Sequence, residues 1–285
     1  MLYVLVNPLA SNGKAEEKVI EAVKNFDSGD YKQLSLIDLD VKKIIESTTE
    51  EDNIVILGGD GTLNRFANDT ADLTFNCPVY LYKSGTGNDF MKDVEDKVKD
   101  NMVLLNDYLK DLPTITVKGK TYRFVNGIGY GIDGMCCEVA DKMKAQGKEN
   151  ISYAGISIKL LIHGYKCPDA KVTVDGKVHN FKKVWLASGM KGRYYGGGMQ
   201  IAPNQDRTSG KLTSAIIHGS GKLKTLIVFP KLFKGEHVKH TEMFTAIEGQ
   251  KITVEFTHPM ALQIDGETVT GVSSYTIESK AKVKA

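Results

Sequence analysis

Three short stretches combine glycine with carboxylate or hydroxyl side chains: Gly58-Gly59-Asp60-Gly61-Thr62, Gly85-Thr86-Gly87-Asn88-Asp89 and Asp265-Gly266-Glu267. The first two each follow an apolar run and open an amphipathic one. A helix that starts at such a turn points unpaired N–H groups into it, and its dipole favours an anion there. Glycine lets the backbone approach a phosphate with no Cβ in the way. Asp60 repels a phosphate, so its presence makes sense if a Mg²⁺ ion or ordered water stands between the two. Thr86 offers a hydroxyl to a phosphate or a ribose, and Asn88 is a good helix N-cap. Two such turns in one parallel sheet can share a nucleotide at the carboxyl edge of the strands. The plain alternative is an ordinary strand-to-helix turn, but this combination is too particular to favour it. The third stretch puts a carboxylate where it could take a proton, although Asp-Gly is also a common hairpin pair.

Other patterns carry less. No G-x-x-x-x-G-K-[ST] loop is present. A G-x-G-x-x-G string spans Gly129, Gly131 and Gly134 but lies among β-like segments. No acidic strand end follows about twenty residues on, so it does not read as a dinucleotide site. Cys77, Cys136, Cys137 and Cys167 form no C-x-x-C pair, which speaks for reduced cytosolic thiols over disulfides or zinc. His237 and His240 are three apart, yet no third ligand is evident, so they read as surface histidines. "FPKLFKGEHVKH", 229 to 240, mixes aromatics with lysines. A solvated basic segment is the favoured reading, with contact to an anionic bilayer as the alternative.

The elements that must position these residues alternate at first. Strands are expected at 2–6, near 33–37, at 53–57 and at 79–82. Helices are expected over 14–25, 41–48, 62–70 and from Asn88 onward. That order implies crossover units and a mainly parallel sheet. From about residue 118 the texture changes to alternating segments with tight turn signals such as "VDGK" at 174–177, interrupted by helices near 134–144 and 152–163. The fold class is therefore α/β: a parallel-sheet nucleotide domain over 1–117 and a mostly antiparallel, sandwich-like β domain over 118–285. The default place for the site is the cleft of a two-domain enzyme. Trp185 reads as core.

The 285 residues are 41% apolar and 25% charged, an ordinary globular composition, and the net charge of +2 gives no case for nucleic acid. The opening apolar run is too short for a signal peptide, and no window is long enough to span a membrane. A cytoplasmic protein is expected, and antiparallel edges in the second domain leave a homodimer possible.

Taken together, the motifs resemble the diacylglycerol kinase catalytic family, in particular its soluble bacterial lipid kinases. NAD kinases share the GGDGT turn, but its pairing with "SGTGNDF" and "IDGE" favours the lipid kinase branch. The resemblance covers nearly the whole chain, through "VNPLASNGKA", "GGDGTLNRFAND", "SGTGNDF", "FVNGIGYGIDG", "SYAGISIKLL", "GRYYGGGMQIAP" and "IDGE". It implies transfer of the γ-phosphoryl of ATP, with Mg²⁺, to the hydroxyl of a lipid collected at the membrane surface. It places Asn7, Ser11, Gly13, Gly58, Gly59, Asp60, Gly61, Thr62, Asn64, Gly85, Thr86, Gly87 and Asn88 around ATP. Asp60, Asp89 and Asp133 match its Mg²⁺-linked acidic network. Glu267 matches its proton acceptor, with Asp265 beside it.

The chain departs from the family at several points. Arg65 replaces a usual glutamate, Lys83-Ser84 replace Pro-Leu, and no nucleotide-contacting threonine appears near 36–39. Ser209-Gly210-Lys211-Leu212 stands where an Asp-Gly-x-Leu loop holds a structural Mg²⁺. An NAD-kinase-like kinase of a small molecule, or a nucleotide- or lipid-binding regulator without transfer activity, are the alternatives.

Overall fold

The computed structural model describes residues 1–8, 15–26, 30–37, 39–84, 88–148 and 151–280. The chain divides into two compact units, 1–112 and 113–285. The division falls before β6 (Thr114–Val117), not at 117/118, because β6 pairs with strands of the second unit.

The first unit runs β1 (Leu2–Val6), α1 (Ala15–Val23), β2 (Tyr31–Ser35), α2 (Val41–Glu46), β3 (Asn53–Gly58), α3 (Asp60–Asp69), β4 (Val79–Lys83), α4 (Asp89–Asp93), β5 (Met102–Leu104), α5 (Asn106–Lys110). The sheet order is β2-β1-β3-β4-β5. The first four strands are parallel and β5 is antiparallel to β4. β5 can turn back because Asp100 and Asn101 both adopt positive φ, 49° and 60°, a region these short polar side chains tolerate. Central strands of a parallel sheet are covered on both faces, which is why "NIVIL" is continuously apolar. On one face, Val19 and Ala22 of α1 pack with Leu2, Val4, Val6, Val55 and Leu57.

The second unit continues from β6 with β7 (Lys120–Arg123), β8 (Gly127–Tyr130), α6 (Ile132–Ala145), α7 (Tyr153–Ile162), β9 (Ala170–Val174), β10 (Lys177–Phe181), β11 (Leu186–Met190), β12 (Leu212–Ile217), α8 (Lys222–Val228), β13 (Phe244–Gly249), β14 (Lys251–Ile264) and β15 (Glu267–Glu278). All of its strand pairings are antiparallel, in the order β13-β12-β11-β8-β14-β15-β6-β7, with β9 pairing both β10 and β14. Register breaks between Glu255 and Leu262 let β14 pair β9 with its first half and β8 with its last residues. Three hairpins, at Lys118-Gly119, Asp175-Gly176 and Asp265-Gly266, turn through two residues of positive φ, the geometry that matches strand twist.

β12 is buried along its whole length. Leu212 and Ile216 face a sandwich core with Ile128, Val172, Val254 and Ile277. Ala215 and Ile217 face a second apolar cluster formed with α6, α7 and the segment from α8 to β13. Trp185 is buried in that second cluster, its indole N–H donating to the Ser220 carbonyl at 3.1 Å.

Candidate active site

The β3–α3 turn comes first. α3 begins at Asp60, not Thr62 as the sequence pattern suggests, so Asp60 and Gly61 form its first turn with Gly59 as N-cap. A Cβ on Gly58 would run into the Thr62 side chain, so close strand–helix packing requires that glycine. At Gly61 a Cβ would meet nothing within 4 Å, so nothing in the described chain fills the space beside this helix start. Asn7, at the end of β1, donates from Nδ2 to Thr62 Oγ1 at 3.1 Å. These two residues, Gly61, Leu36, Ile37, Arg65, Phe66 and Asp69 line a cavity of about 100 Å³ at the carboxyl edge of the sheet. The sequence pointed to Asn7, Gly61 and Thr62 here but not to Leu36 and Ile37. Those two are carried in by β2, whose end at Ser35 puts them one and two residues beyond the strand.

The Asp60 carboxylate has a definite partner. Its Oδ2 accepts from the Asp89 N–H at 2.8 Å and its Oδ1 from the Phe90 N–H at 2.9 Å. Asp60 thus caps α4 from another helix. Asn88 sits at the N-cap position but makes no side-chain capping bond, contrary to expectation. Asp89 is buried beside it. A carboxylate oxygen can accept more than one hydrogen bond, which suits contact with a hydrated Mg²⁺, an ion that keeps several waters and takes only one or two carboxylates. Among the described residues, no three His, Cys, Asp or Glu side chains form a metal-binding group. Asn64 lies within α3, its carbonyl oxygen accepting from Asn68 Nδ2 at 2.9 Å. Ser11, Gly13, Gly85, Thr86 and Gly87 lie outside the described residues.

In the second unit the late acidic turn separates its two carboxylates. Asp265 Oδ1 accepts from the N–H groups of Asn126 at 2.8 Å and Gly127 at 2.9 Å, and Oδ2 from Val125 at 2.5 Å. Asp265 therefore pins the start of β8. Arg207 holds the same segment by its acceptors: the buried guanidinium donates to the Val125 carbonyl at 2.6 Å and to Asn126 Oδ1 at 2.9 Å. The side chain of Glu267, the first residue of β15, is exposed and makes no hydrogen bond or ion pair among the described residues, while its backbone pairs with Ile264 across the hairpin. The loop before β12 is organised by its own side chains. Asp206 Oδ1 accepts from Thr208 N at 2.7 Å and Oγ1 at 2.9 Å, and Ser209 Oγ donates to the Asp206 carbonyl at 2.8 Å.

Asp133 stands in the first turn of α6, where Gln263 Nε2 donates to it at 2.9 Å. Burial pushes its carboxyl up from the usual value to about 6, against hydrogen bonds from Gln263 and Tyr195 that favour the charged form. The G-x-G-x-x-G string serves this packing. A Cβ on Gly129 would collide with the Asp133 carboxylate, and one on Gly134 with the Ala261 backbone. Asp133 lines a cavity of about 40 Å³ with Ile132, Leu161, Trp185, Met199, Phe229 and Leu232; Tyr195, Ser157 and Thr225 add its hydroxyls. Gln263 carried no motif and Tyr195 stood only within the glycine-rich stretch 192–203; the fold brings both to Asp133.

His237 departs from expectation: it is buried, stands edge-on to Phe244, and shares a hydrogen bond of 3.1 Å with the Ile201 carbonyl through Nε2. Burial lowers its pKa and so favours the neutral imidazole, and among the described residues it belongs to no group of three possible metal ligands. The four cysteines are free thiols. Among the described residues, no helix is long and apolar enough to cross a membrane.

Comparison with known proteins agrees with this architecture. Residues 1–115 match the diacylglycerol kinase catalytic domain, and residues 126–280 match the YegS C-terminal NAD kinase beta sandwich-like domain. A diacylglycerol kinase of Mycobacterium tuberculosis is 24% identical over 85% of this chain and 81% of its own. One of Bacillus subtilis is 23% identical over 76% and 72%. A crystal structure of a diacylglycerol kinase from Bacillus anthracis superposes with a TM-score of 0.69 at 21% identity, covering 98% of this chain and 94% of that one. The chain belongs to the diacylglycerol kinase catalytic family, in the branch whose second domain is the YegS-type β-sandwich.

Proposed function

We propose that this protein transfers the γ-phosphoryl group of ATP to the hydroxyl of a lipid. The first turn of α3, with Gly61 bare and the Asn7–Thr62 pair beside it, holds the nucleotide through backbone N–H groups. Asp60 and Asp89 would hold the Mg²⁺, directly or through its waters. When bound, that ion neutralises charge developing on the transferred group. Glu267, whose carboxylate has no partner among the described residues, takes the proton of the acceptor hydroxyl. Asp265 does not share that work; it fixes the turn from which Glu267 projects.

The observation that carries the lipid reading is the cavity of the second unit. Its wall is mostly apolar, with three hydroxyls and one carboxyl group, that of Asp133, set into it. A water-soluble acceptor gives no reason for such a wall, and an acyl chain does. At about 40 Å³ the cavity holds only a short piece of chain, so it must widen. Met199 and Met243 on its wall are the adaptable side chains for that. Labelled ATP offered with mixed micelles of diacylglycerol and other lipid alcohols, or with NAD, tests the reading. Label in the lipid phase supports it, and label in NAD alone overturns it.

A further inference from the structure

The helices above the apolar cavity carry a second apolar stripe on their solvent side. In α7, Ile158 and Ile162 are four residues apart and each 42% exposed; in α8, Leu223 and Ile227 are four apart and 76% and 61% exposed. Residues one helical turn apart lie on one face. The two helices pack together, and the Lys222 ammonium donates to the Ile162 carbonyl at 3.0 Å. Phe233, in the 3-10 turn after α8, is exposed as well. Their opposite sides are accounted for, since Leu161, Ser157, Thr225 and Val228 face the cavity. A helix on a globular protein normally shows polar residues outward; these show branched aliphatics.

Charge says what covers the stripe. Lys159 lies within α7, Lys222 and Lys224 lie within α8, and Lys166, Lys231 and Lys234 follow the two helices along the chain; neither 151–168 nor 219–235 contains an Asp or Glu. The acidic groups that approach come from the following segment: Glu242 pairs with Lys224 at 2.7 Å, and Glu236 follows Lys234. Aliphatic side chains ringed by lysines complement a surface that is apolar inside and anionic at its face, with lysine stems lying along the apolar region and ammonium groups at the phosphates.

We propose that the α7–α8 face docks this protein on an anionic lipid bilayer. The proposal deepens the lipid kinase reading and rests on it for what docking accomplishes: the same two helices separate the bilayer from the cavity, so a lipid can pass between them without crossing water. The segment 229–240, which the sequence singled out, supplies only the edge of this surface through Lys231, Phe233 and Lys234. Its Leu232 and His237 point inward.

The test is co-sedimentation of the full chain, without nucleotide, with vesicles of phosphatidylcholine alone or mixed with phosphatidylglycerol. The expected result is binding to the mixed vesicles only, weakened by salt. The double variant Leu223→Glu/Ile227→Glu binds at least about tenfold less. Lys159→Gln and Lys234→Gln each weaken binding about fivefold. Trp185 emission and the thermal midpoint check that each variant is folded; Ile158→Gln/Ile162→Gln serves if the first is not. Wild-type protein that ignores anionic vesicles, or a folded stripe variant that binds as wild type does, overturns the proposal. So does a dimer in sedimentation velocity that the stripe variants dissociate, which would give the face to a second copy of the chain. Phosphorylation of a water-dispersed short-chain diacylglycerol is run in parallel. Transfer without vesicle binding sinks the docking surface alone, and vesicle binding without transfer to any lipid alcohol sinks the kinase reading alone.

Discussion

Asp133 is a carboxyl group held in a place that disfavours its charge. Below pH 3.8 it is neutral in both the folded and the unfolded chain and costs nothing. Above about 6 it is ionised in both, and only the folded chain bears the burial penalty. Stability therefore falls as pH rises through that window, by about 3 kcal/mol from this group. Asp133→Asn keeps an oxygen for Gln263 and removes the penalty. Its thermal midpoint is expected to exceed that of wild type at pH 8 and to match it near pH 4, by scanning calorimetry at both values. If the carboxyl also greets the acceptor, the same variant loses turnover on lipid, a trade between stability and function. Glu267 presents the opposite case, an exposed carboxylate with no partner to lose among the described residues. Glu267→Gln is expected to leave the thermal midpoint unchanged and nucleotide affinity within about twofold, while turnover falls by about 10²-fold or more. Steady-state kinetics beside nucleotide titration measure both, and equal turnover removes Glu267 from the chemistry.

At the scale of elements, the carboxylates of the motifs turn out to brace helix and strand starts. Asp265→Asn preserves the hairpin, because Asn-Gly suits the same turn. It still leaves three N–H groups at 125–127 facing an amide in place of a charge. The expected cost is about 2 kcal/mol, read as a shift of the denaturant midpoint. Asp60→Ala strips α4 of both capping acceptors and is expected to cost about 1–2 kcal/mol by the same measurement, with Asp60→Asn intermediate. The sequence displayed these residues plainly and hid this second role, because a cap supplied by a distant helix leaves no local pattern. The start of α3 at Asp60 was missed for a related reason: Gly61 is a poor helix former, and only the space around it explains its place in a first turn. Gly58 reads as part of a phosphate turn and in three dimensions also makes room for Thr62, while Gly129 and Gly134, which do not read as a dinucleotide site, make room for Asp133 and the Ala261 backbone.

For the whole molecule, alternation of apolar runs and turn signals was enough to separate a mainly parallel sheet from an antiparallel one. The exact division was not legible, since β6 reads the same whichever sheet it joins. Nor was the inward turn of His237, which depends on Phe244 and Ile201 arriving from other segments. The second unit has its own core and holds the single tryptophan, Trp185, on its cavity wall. Expressed alone, residues 113–285 are expected to unfold cooperatively by Trp185 emission. Short-chain diacylglycerol is expected to shift that emission and ATP to leave it unchanged. A fragment that unfolds without a transition would deny the unit its independence.

One carboxylate in the first unit touches two helices, since Asp60 begins α3 and its oxygens hold the amides that begin α4. The two helix starts therefore form a single lever. A load on the leading turn of α3 therefore passes into the start of α4 through two hydrogen bonds, with no third element between them.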